Sequence, residues 1–79
     1  MFEKEMDFRT EAKAACGHWV DTVAWLVRRG ENDRAQEFAR RACTKVFAYA
    51  DINLITYDET VAFVEAINHA AVYGESEVR

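Results

Sequence analysis

Leu26-Val27-Arg28-Arg29-Gly30-Glu31-Asn32-Asp33-Arg34-Ala35 is the stretch on which the fold turns. Upstream of it, Phe8, Ala12, Ala15, Trp19, Val23, Leu26 and Val27 recur mostly at steps of three and four, the period of a helix that hides one face. Gly30 reads as the residue just past that helix, where a left-handed backbone costs glycine least, and Arg28 and Arg29 lie well against the negative end of the helix dipole. Asn32 or Asp33 reads as the N-cap of a second helix, with Gln36 three residues beyond Asp33. With three or four residues between them, the two helices must fold back as an antiparallel hairpin.

Working outward, the first helix is expected over about 4–29 and the second over about 33–50. The second carries a stripe of Ala35, Phe38, Ala39, Ala42, Val46 and Tyr49, and its alanines are small enough to approach the Trp19 side of the first helix closely. Ile52-Asn53-Leu54-Ile55-Thr56 has β-branched residues without helical spacing, so 51–56 reads as a short extended connector whose apolar side chains cap the core. Thr56-Tyr57-Asp58-Glu59 has the form of a capping box opening a third helix over about 57–73. The apolar face of that helix is Thr60, Val61, Val64, Ile67, Ala71 and Val72, widened by Phe63 and Ala70. Gly74 stops it before a frayed tail, 75–79. The expected fold is all-α: an antiparallel helical hairpin with a third helix packed across it, a small three-helix bundle.

Composition agrees. The chain has 79 residues, 51% hydrophobic and 30% charged, with no proline and three glycines. That is one domain's worth of globular sequence, too short of turn chemistry for a sandwich or barrel and too apolar for the disordered class. Met1-Phe2-Glu3-Lys4-Glu5 is acidic where a secretory leader is basic and then apolar, and no run approaches the about 18 apolar residues of a membrane span. A soluble, cytoplasmic protein is expected, in which Cys16 and Cys43 are small buried hydrophobes rather than a disulfide. Trp19, Gly30, Ala35 and Ala42 fall at spacings that resemble one tetratricopeptide hairpin over about a third of the chain, with Val23 where that family has a small residue and no second copy to stack on. Nothing functional is taken from the likeness.

The residues that bear on chemistry are few. Cys16-Gly17-His18 pairs two zinc-ligand types, but two helical residues are about 200° apart, so thiol and imidazole point to opposite sides. Catalytic use of His18 or His69 would need a nucleophile or carboxylate held against the imidazole, and the one serine, Ser76, is in the tail. No phosphate loop or nucleophile elbow is present. The sequence therefore implies no enzyme, no cofactor and no metal.

Charge is more informative. The net −4 divides into −2 over residues 1–27, +3 over 28–45 and −5 over 46–79. A basic middle and an acidic end suit recognition of a partner protein or of a second copy, while the overall sign disfavours nucleic acid. Trp25 lies about 120° from the Trp19 stripe, among His18, Asp21 and Arg29, and a large aromatic beside arginine on a polar face has the composition of an interaction hot spot. Its bland alternative is burial by the third helix. Phe47, off the second stripe, and Arg40 and Arg41 beside it in sequence complete the candidate partner-binding set. The expected function is a small adaptor, regulator or inhibitor that occupies a surface of a larger protein, similar in size and build to accessory proteins of bacteriophages and mobile elements. The alternative is a dimeric nucleic-acid-binding or transcription-regulating module using residues 28–45. Phe2, Met6 and Phe8, at the end of a first helix longer than its neighbours, further imply a homodimer.

Overall fold

The computed structural model describes residues 8–76 and consists of three helices: α1 Phe8–Arg28, α2 Asn32–Asp51 and α3 Tyr57–Tyr73. All three pack against one another, as the small three-helix bundle expected. α2 runs back along α1, and α3 returns parallel to α1. Lys13 meets Glu59 (3.4 Å) near the start of both parallel helices, and Arg28 Nη1 donates to the carbonyl of Gly74 (2.7 Å) at their ends. The expected start of the first helix near residue 4 lies outside the described residues, as do Phe2 and Met6. Phe8 is exposed. At 21 and 20 residues α1 and α2 match in length, so within the described residues the first helix does not outrun its cover.

Both chain reversals use one device. After α1, Gly30 (φ 82°) donates to Val27 O (2.9 Å) and Glu31 N–H reaches Leu26 O (3.0 Å), the paired bonds of a Schellman turn. This corrects the expected start of α2. Its N-cap is Glu31, not Asn32 or Asp33, and the Glu31 side chain makes no capping bond. Its carboxylate is drawn away to Arg29 (3.1 Å) and Arg34 (2.8 Å) instead, which hold it below the ordinary carboxylate range. After α2, Asn53 takes φ 63°, with Asn53 N–H on Ala50 O (3.0 Å) and Leu54 N–H on Tyr49 O (2.9 Å). The connector is thus a second Schellman turn and not an extended segment, because asparagine tolerates the left-handed region that its β-branched neighbours do not. Ile55 is buried under it and Leu54 half-buried, whereas Ile52 is exposed.

The capping box at α3 is complete: Thr56 Oγ1 accepts from Glu59 N–H (3.1 Å) and Glu59 accepts from Thr56 N–H (2.8 Å). That backbone bond, with Lys13 nearby, keeps the Glu59 carboxyl ionised below its usual range. The buried Thr60 hydroxyl is satisfied by Thr56 O (2.8 Å).

The core centres on Cys16, Val20, Val23, Val46 and Ile67, all fully buried. The α2 stripe is as expected, with Ala35, Ala39, Ala42 and Val46 inside and Phe38 and Tyr49 at its edge. The α1 stripe is rotated from the expected one. Its axis is Cys16, Val20 and Ala24, and Trp19 is a half-buried flank stacked on Tyr49 (5.7 Å between centroids), with Lys45 Nζ 5.6 Å from its ring centroid. A helix covered by two neighbours buries a wider arc than a hairpin partner alone would bury, and the small residues fill its middle. On α3, Thr60, Phe63, Ala66, Ile67, Ala70 and Ala71 are inside, while Val61 and Val72 face out. Among the described residues no helix is long and apolar enough to cross a membrane.

Candidate interaction surface

The partner-binding candidates separate onto three surfaces. His18, Asp21 and Trp25 share one exposed arc of α1, which Arg29 continues just past the helix end, about 80° wide in all by helical rotation. Trp25 remains 50% exposed, and the Arg29 guanidinium carbon sits 4.7 Å from its ring centroid. α3 therefore does not cover it. Arg29 is held at its other side by Glu31, so ring and guanidinium form one braced unit at the end of α1. His18 and Asp21 are exposed, and the His18 carbonyl accepts from Thr22 Oγ1 (3.0 Å). The imidazole lies on the outer surface while Cys16 is in the core, so the two do not meet.

Arg41 belongs elsewhere. It pairs with Glu37 (3.0 Å) and borders a shallow hollow between α1 and α2 formed with Trp19, Phe38 and Lys45. Its sequence neighbour Arg40 faces the other way and lines the groove between α2 and α3 with Cys43, Thr44, Phe47 and Asn68. Phe47 is 52% exposed there. Gln36 Nε2 donates to Ala71 O (3.1 Å) at one end of this groove and fixes the antiparallel register of its two walls.

The α3 wall, which enters the groove at Asn68, carries what the sequence reading missed. Val61, Val64, Asn68 and Val72 step by three and four along α3, and Val72 is 67% exposed, so they form a second stripe beside the core stripe. Val64 also packs against the core, as expected, whereas Val61 and Val72, expected on the core face, are exposed. Glu65 follows Val64 on the outer edge of the same wall and has no basic partner among the described residues.

The chemistry of these surfaces is contact chemistry. Burial, and secondarily the Glu59 carboxylate, pushes the Cys16 thiol up to about 11, and burial raises Cys43 as well, so neither is an activated thiolate at neutral pH. His69 meets Glu75 (2.8 Å) and packs on Tyr73 (4.7 Å) at the end of α3. What the surface offers is exposed aromatic and aliphatic groups beside unpaired charges, on shallow relief. No protein family, curated protein or solved structure matches this chain.

Proposed function

We propose that this chain is a small non-enzymatic protein-binding module, a cytoplasmic adaptor, regulator or inhibitor that occupies a surface of a larger protein, of the kind carried by phages and mobile elements. The observation that carries the reading is Trp25: half-exposed, braced by Arg29, and set on an otherwise polar face with His18 and Asp21 at its rim. A large rigid side chain in that position brings apolar area to an interface at little further loss of conformational freedom. The alternative use of residues 28–45 on nucleic acid is less well supported. Arg29, Arg34 and Arg41 are each engaged by Glu31 or Glu37, and Lys45 lies over Trp19.

The test is Trp25→Ala in a comparative capture from cells that express the chain, followed by affinity measurement on whatever the wild type retains. Truncation of a side chain already half in water should leave the fold intact, with a loss of about 1 kcal/mol. Partner affinity should fall by about 2 kcal/mol or more, roughly 30-fold. Equal retention by Trp25→Ala and the wild type would remove this surface from the reading, and salt-sensitive retention of DNA by the wild type would replace it with the nucleic-acid one.

A further inference from the structure

We infer that the α2–α3 groove is a self-association surface, closed by the same groove of a second copy of this chain about a two-fold axis running along it. This is independent of the Trp25 surface, which lies on α1.

The register of the groove carries the argument. The Gln36–Ala71 bond ties the first turn of α2 to the last turns of α3. Counting away from it at about 1.5 Å per residue on both helices puts Arg40 level with about residue 67 and Phe47 level with about residue 60. One wall therefore presents Arg40, Cys43 and Phe47; on the other, Val61 is nearly level with Phe47, and Glu65 is level with about residue 42, about 3 Å along the axis from Arg40.

A two-fold axis along the groove lays each α2 on the α3 of the other copy without changing height. Phe47 then meets the partner's Val61, and Arg40 meets the partner's Glu65, and symmetry makes each contact twice. Neighbouring helices around the resulting four-helix layer all run antiparallel, the favourable arrangement for their dipoles.

Charge selects this occupant over an unrelated one. Among the described residues, Arg40 is the base of α2 with neither a carboxylate nor an aromatic ring against it, whereas Arg34, Arg41 and Lys45 each have one or the other. On α3, Glu59 is taken by Lys13, while Glu65 and, in the first turn, Asp58 have no basic partner among the described residues. Arg40 and Glu65 stand on opposite rims of one groove of mixed polar and apolar lining, about 3 Å apart along its axis. A surface with that pattern is complementary to itself.

The test is a charge swap read by sedimentation equilibrium and light scattering. The wild type should pass from the 9.1 kDa monomer to a dimer of about 18 kDa with rising concentration. Arg40→Glu and Glu65→Arg should each weaken the dimer about tenfold or more, since each loses two symmetric pairs and gains two repulsions. The double variant should recover to within about threefold of the wild type. Both side chains are exposed, and a helical melt on each variant keeps unfolding apart from dissociation. A wild type that stays monomeric at about 500 μM, well above the dissociation constants of specific pairs, overturns the inference. So does a dimer indifferent to both reversals, or a double variant that is not rescued. Loss of dimerisation with Trp25-dependent capture intact would leave the proposed function standing.

Discussion

The same substitution, glycine to alanine, should have opposite signs at two positions of this chain. Gly17 lies within α1, and a methyl added there would meet nothing within 4 Å. Replacing it removes only the extra backbone entropy that glycine loses in a helix, so Gly17→Ala should stabilise by about 0.8–1 kcal/mol. Gly74 sits at φ 71° at the end of α3, and its added Cβ would stand 3.2 Å from Val27 Cγ1 and 3.3 Å from Arg28 Cγ. The left-handed backbone alone costs a non-glycine residue about 1–2 kcal/mol. Relief of the contacts would also pull the Gly74 carbonyl away from Arg28, so Gly74→Ala should destabilise by about 2 kcal/mol. For a chain of this size each kcal/mol moves the melting temperature by about 4–8 °C, upward for the first variant and downward for the second. Far-UV circular dichroism melts and urea titrations at one fixed protein concentration read both. A destabilised Gly17→Ala would mean that this face of α1 is packed against something. A neutral Gly74→Ala would mean that the α1–α3 junction is not closed as described.

Thr56→Ala should remove the hydroxyl half of the capping box and lower stability by about 1 kcal/mol in the same titration, and an unchanged midpoint would count against it. In dilute native protein at pH 8, iodoacetamide should modify half-buried Cys43 well before Cys16, and equal rates would contradict the burial of Cys16. Because the folded Cys16 thiol keeps its proton to about pH 11 while the unfolded thiol releases it near 9, stability should decline as pH rises between those values; a flat profile there would refute the shift.

Helix number, order and most ends could be read from the sequence, because single residues with one strong preference mark them: Gly30 past α1, the Thr56–Glu59 box before α3, Gly74 after it. Asn53 carried the same kind of signal, hidden among Ile52, Leu54 and Ile55, whose β propensity describes side-chain packing and says little about a turn. The face of α2 was legible because its alanines leave one stripe. The phase of α1 was not, since Phe8 and Trp19 weigh heavily in any periodicity while the buried axis is made of Cys16, Val20 and Ala24. The candidate site suffered from that same ambiguity. Trp25 could be set off the Trp19 stripe from its own helix, but whether α3 covers it could not be read there, and the relation between Arg40, Phe47 and α3 depends on a register that one hydrogen bond, Gln36 to Ala71, determines.

The bond from Arg28 to Gly74 spans 46 residues of chain and joins two parallel helices, whereas the other two pairings are hairpins closed by short turns. Lengthening a closing loop from about four residues to about 46 adds about 2 kcal/mol of chain entropy. The α1–α3 seam is accordingly the last pairing to become favourable as the chain assembles and the first to part under stress. Either hairpin can form before the full chain is in place, and a molecule built this way should fold within microseconds to milliseconds. Transient loss of that one seam would bare Cys16 and Ile67 while both turns stay closed, so hydrogen exchange in α3 should report partial opening rather than global unfolding.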